Sequence, residues 1–106
     1  MYVTPPFSGA ISNVEADELA DWAERSDPCK PALECGCWSG FSTVVLLQSF
    51  PQGKTFHTVD HHRGDAWAPA VPGEEFFRNV APFATPGWTH TQGTFQEFLE
   101  RYSGPQ

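Results

Sequence analysis

A chain of 106 residues with 40% hydrophobic and 14% aromatic content is long enough for one domain with a thin core and too short for two. Six Lys and Arg against 13 Asp and Glu leave a net charge of −7 without a basic cluster, which excludes an autonomous nucleic-acid or anionic-membrane binder. The longest apolar run, Val44-Val45-Leu46-Leu47, is far short of a membrane span, and Met1-Tyr2-Val3-Thr4-Pro5-Pro6 lacks the pattern of a secretory signal. Cys29, Cys35 and Cys37 are odd in number, and Cys35 and Cys37 are too close for an easy bridge. Free thiols and a reducing, cytoplasmic location follow. A zinc site from Cys35-x-Cys37 has little support, because structural zinc ligands are usually separated by two to four residues.

Residues 1–11 read as an irregular N-terminal segment. Ser12-Asn13-Val14-Glu15 has the form of a capping box, and a helix is predicted from there to about Arg25, with Leu19, Trp22 and Ala23 inward. Asp27-Pro28 ends it. Residues 32–36 read as a short strand entering a glycine turn, and 39–49 as a buried helix closed by Phe50-Pro51. A second strand is predicted over 54–59, followed by a Pro- and Gly-containing loop over 61–73. That loop reads as a surface connection, with a lid carrying Trp67 and Val71 as the functional alternative. A helix over 74–81 turns Phe76, Phe77 and Val80 inward, and 88–92 alternates like a third strand. Thr94-Phe95-Gln96-Glu97 is a second capping box. Behind it, Phe95, Phe98, Leu99 and Tyr102 form a helical stripe expected in the core. Strands alternating with helices predict an α/β fold with a three-strand parallel sheet flanked by helices.

In such a sheet a ligand sits beyond the carboxyl ends of the strands. The first strand runs into Gly36-Cys37-Trp38-Ser39-Gly40 and then a helix, whose free N–H groups suit an anion. The second strand ends near Asp60, 24 residues after Gly36, where a carboxylate can accept both ribose hydroxyls of a nucleoside cofactor. His57, Asp60, His61, His62 and Asp65 form a further cluster. A metal site is set aside there, because His57 lies within the strand and His61 and His62 are adjacent and point apart. A proton acceptor for an alcohol or amine, from His61, His62 or Asp65, is the catalytic reading.

The run Leu33-Glu34-x-Gly36-x-Trp38-x-Gly40-x-Ser42-Thr43, followed by Gly53-Lys54 and Val59-Asp60, resembles class I S-adenosylmethionine-dependent methyltransferases, and within them a small-molecule branch. The resemblance covers residues 9–65 well and 74–99 loosely. It implies a minimal Rossmann-like fold and a single S-adenosylmethionine-binding domain over 1–106, truncated after the third strand. It implies that Glu34 orders the loop or touches the cofactor's amino group, and that Gly36, Trp38 and Gly40 shape the cleft for the methionine part. Ser42 and Thr43 would lie near the cofactor carboxylate, Asp60 on the ribose, and His61, Gly93 and Thr94 at the adenine.

The function expected on this basis is methyl transfer to a small-molecule acceptor by direct displacement. The alternatives are a non-catalytic S-adenosylmethionine-binding module, half of a split enzyme, or an enzyme that degrades the cofactor. A family fold of about seven strands would leave the first strand of this chain as a bare edge, and an apolar edge invites pairing. A homo-oligomer through that edge is therefore expected.

Overall fold

The computed structural model describes residues 2–64, 66 and 69–103. The elements alternate along the chain as α1 (Asn13–Glu24), β1 (Ala32–Cys35), α2 (Phe41–Ser49), β2 (Phe56–Asp60), α3 (Gly73–Val80) with a short 3-10 turn, β3 (Trp88–Gln92) and α4 (Phe95–Arg101). The sheet order is β1-β2-β3, and both pairings are parallel. The three-strand parallel α/β architecture expected from the sequence is therefore present.

Both capping boxes exist. Ser12 Oγ accepts from the Glu15 N–H while Glu15 accepts from the Ser12 N–H, and Thr94 and Glu97 repeat the arrangement at α4. Each pair satisfies two amide donors that a helix start leaves without partners. Helix α2 starts at Phe41, two residues later than predicted, because Gly40 holds a left-handed conformation at φ 95° and serves as the N-cap.

The register places side chains of Phe56, Thr58 and Asp60 on one sheet face with Glu34, Trp88 and His90, and those of His57 and Val59 on the other with Leu33 and Cys35. Helices α1, α2 and α3 cover the first face. Their Ala23, Val44, Leu47, Phe76 and Val80 close a core around Phe56, while Ala16 and Ala20 pack on Phe41 and Val45. Helix α4 alone lies on the second face, where Phe98 and Tyr102 meet the His57 ring.

Three expectations fail on exposure. Trp22 is 55% exposed, because α1 turns its alanines inward and leaves the indole edge-on to Phe50. Phe77 is also exposed, at the rim of α3. The α4 stripe is not core as a whole: Phe98 is buried, but Phe95 and Leu99 are 46% and 52% exposed, since no second helix lies beside α4 among the described residues. No helix there is long and apolar enough to cross a membrane.

Candidate cofactor site

At the carboxyl ends of the strands Asp60 organises three loop amides. Its Oδ2 accepts from the N–H groups of Cys37 (2.7 Å) and Trp38 (2.9 Å), and its Oδ1 from the His62 N–H (2.8 Å). Burial pushes the Asp60 carboxyl up, but the three amides outweigh it and hold the group below the usual carboxylate range. A carboxylate offers about four acceptor positions. With three taken, Asp60 keeps one acceptor position open towards the cleft in this conformation.

Two cavities meet at this carboxylate. One, of about 350 Å³, is bordered by Gly9, Gly36, Trp38, Asp60, His61 and Val71. The other, of about 310 Å³, is bordered by Cys35, Gly36, Asp60, His61, Thr94 and Phe95. Gly36, Asp60 and His61 are common to both, so the two form one cleft across the strand ends. Gly36 holds φ 80°, and a Cβ built there meets no protein atom within 4 Å, which leaves that backbone open to a ligand. A larger cavity of about 430 Å³ lies elsewhere, between the segment before β1 and α4. It shares no residue with the Asp60 cleft.

The remaining expected residues divide into those that face the cleft and those that support it. Glu34 supports it: its two carboxylate oxygens accept from Ser42 Oγ and Thr43 Oγ1 in the first turn of α2. Of its two implied roles, the geometry therefore favours ordering the loop. Burial pushes the Glu34 carboxyl up, against the pull of those hydroxyls. Ser42 and Thr43 spend their hydrogens on Glu34, not on a ligand carboxylate. Gly40 packs against α3, where a Cβ would come within 2.5 Å of Val80 Cγ2; it faces the core, not a ligand. Thr94 Oγ1 caps α4, and the Gly93 N–H donates to the Asp60 carbonyl.

The histidines separate in the same way. His61 Nδ1 accepts from the Arg63 N–H (3.0 Å), so the neutral ring carries its proton on Nε2 and offers the cleft a donor. His62 is buried, with both ring nitrogens in hydrogen bonds to Val71 and His90, so it has no free nitrogen for a substrate proton. Asp65 and Trp67 lie outside the described residues. Cys37 is buried, and burial together with the Glu34 and Asp60 charges pushes its thiol up, so it is no nucleophile. Among the described residues no group of three His, Cys, Asp or Glu side chains is placed to hold a metal ion.

Sequence reading missed Cys35 and Phe95 as lining residues, and it missed His90. Gly9 reaches the cleft because Ser39 Oγ donates to the Ser8 carbonyl (2.8 Å) and ties the N-terminal segment down. The Trp38 indole donates to the Pro69 carbonyl (3.0 Å) and fastens the loop that follows β2.

A family model described as a methyltransferase domain matches residues 33–106, which include all three strands apart from Ala32 of β1 and the whole cleft apart from Gly9 and Ala10. The chain belongs to the class I S-adenosylmethionine-dependent methyltransferase family. Among solved structures it is similar to the O-methyltransferase TomG from Streptomyces achromogenes, involved in tomaymycin synthesis and solved in complex with SAM. The TM-score is 0.69 at 20% identity, over 91% of this chain and 40% of that one. The chain thus spans about two fifths of the length of that structure's chain. No curated protein matches its sequence.

Proposed function

We propose that this domain binds S-adenosylmethionine in the Asp60 cleft and serves methyl transfer to a small-molecule acceptor. The observation that carries the reading is the meeting of the open Gly36 backbone with a carboxylate that keeps one acceptor position, at the strand ends of a methyltransferase-family sheet. The residues fit the cofactor's chemistry. Asp60 would take a ribose hydroxyl, the His61 Nε2–H would face a ring acceptor of the adenine, and Phe95 beside Thr94 would give the base an apolar wall. The low-lying Asp60 carboxyl stays ionised at neutral pH and favours a sulfonium cation.

The bound cofactor supplies an activated methyl group. The protein's part is positioning, which needs no nucleophile. Trp38 and Val71 would exclude water from the methionine side, and Asp65 is retained as the proton acceptor for the substrate. Among the described residues β1 pairs with β2 alone, and Leu33 on it is exposed, which supports association of copies of the chain through that edge.

Calorimetry with S-adenosylhomocysteine tests the cleft: saturable binding that Asp60→Ala weakens supports the reading, and affinity unchanged by that substitution rejects it. Incubation with S-adenosylmethionine separates the activities. S-adenosylhomocysteine formed only with an acceptor indicates transfer, while methylthioadenosine formed without one indicates a degrading enzyme.

A further inference from the structure

The cavity between the segment before β1 and α4, about 430 Å³ in volume, runs against the charge of the chain that encloses it. The protein has a net charge of −7, yet two of its six Lys and Arg residues, Lys30 and Arg101, border this cavity, and no described Asp or Glu does. The Asp60 cleft is the inverse, bordered by a carboxylate and by no described Lys or Arg. Arg101 also acts on Glu97, one turn earlier in α4, but that carboxylate is turned to the Thr94 N–H and does not border the cavity.

The walls are ordered from within. On one side Asp27 holds the turn that presents Lys30. Its carboxylate accepts from the Cys29 N–H (2.9 Å), and its carbonyl accepts from the Lys30 N–H (3.2 Å) and from the ammonium of the buried Lys54. On the other side the Phe98 and Tyr102 rings of α4 stack with centroids 5.3 Å apart, and both meet the His57 imidazole. His57 Nδ1 is engaged with Thr89 Oγ1 (2.7 Å), which leaves Nε2 as the ring nitrogen for a ligand. Pro28 and Pro31 line the cavity on the side of the turn. The result is a pair of flat apolar walls with two cations at the border, in the size range of small-molecule sites, about 300–1,000 Å³.

We propose that this cavity is a second ligand site, separate from the cofactor cleft, for an organic anion with a flat apolar body, of the class of aromatic carboxylates. The carboxylate would meet the Arg101 guanidinium and the Lys30 ammonium, and the ring would lie against Phe98 and Tyr102. Cations at an exposed border hold a bare anion weakly, because water screens them. The aromatic walls add the burial that a flat apolar body gains and a small inorganic anion does not. The site shares no residue with the Asp60 cleft and stands whether or not the cofactor binds there.

The test titrates isotope-labelled protein with naphthalene carboxylate, with its neutral counterpart naphthalene methanol, and with inorganic phosphate, and follows the backbone amide resonances. The carboxylate is expected to shift the Thr55, Thr91 and Ser103 amides saturably, and the Gly36 and His61 amides should stay in place. The alcohol should bind at the same amides about fivefold more weakly. Arg101→Gln and Lys30→Gln replace exposed side chains, so both variants should fold. Each should weaken the carboxylate about three- to fivefold and leave the alcohol within about twofold. Equal affinity for acid and alcohol, indifference to both substitutions, or shifts confined to Gly36 and His61 overturns the site. Phosphate saturating the cavity amides as tightly as the carboxylate overturns the aromatic class in favour of a bare-anion site. No saturable shift at those amides with any probe overturns the proposal outright.

Discussion

The two faces of the sheet are built to different degrees of completion. Under α1, α2 and α3 the side chains of Ala23, Val44, Phe76 and Val80 lose nearly all contact with water, whereas under α4 only Phe98 and the strand residue Val59 do so, and Leu33, Phe95 and Leu99 stay exposed. Three ties that shape the cleft start from the finished face: Glu34 to α2, Asp60 to the Cys37–Trp38 amides, and His90 to His62. The difference teaches that the geometry of the cleft can be secured largely by one face of the sheet.

The largest expected effect falls on the finished face. Phe76→Ala removes a fully buried ring that touches His62, His90 and Trp88 and should cost about 3–5 kcal/mol in denaturant unfolding. A loss below about 1 kcal/mol would mean that this core is no tighter than the open side. Next comes Asp60→Ala. It deletes the acceptor of three backbone N–H groups as well as the ligand contact, so binding of S-adenosylhomocysteine should weaken about ten- to hundredfold, or about 1.5–3 kcal/mol. Circular dichroism of the strands should be unchanged, because the clasp lies beyond their ends.

A pH series on Glu34→Gln sharpens the comparison further. Burial raises the Glu34 carboxyl in the folded state, so folding favours its protonated form. That contribution is present below the unfolded value of about 4.3 and is lost as pH rises through the higher folded value. Relative to wild type, Glu34→Gln should therefore gain stability on going from pH 4 towards neutrality. Midpoints that stay parallel across that range would show that the Ser42 and Thr43 hydroxyls offset the burial in full.

Much of this was legible in the residues, for reasons that differ by region. Capping boxes at Ser12 and Thr94 are chemistry within four residues, and the third strand was read at its observed bounds, 88–92. The strand–glycine–helix–strand–acid order also located the cleft, because the ends of parallel strands are its place in any such fold. What stayed hidden depended on partners distant in sequence. His90 is 28 residues from His62, and within an alternating strand nothing marks it as different from Thr89. Periodicity in α4 showed one apolar stripe but could not tell what covers it, and Gly40 was legible as a turn but not as the floor under Val80.

The smallest effect should come from Leu99→Ser. Its side chain is half exposed on the last regular helix of the open face, so truncation removes little buried surface and leaves no cavity. Unfolding free energy should move by no more than about 0.5 kcal/mol, against several for Phe76→Ala. If copies of the chain associate through the open face, the same substitution weakens that association, which light scattering over a concentration series reads directly. A destabilisation of more than about 2 kcal/mol at a concentration where the protein is monomeric would break the comparison. It would mean that the face under α4 is packed as tightly in solution as the face under α1, α2 and α3.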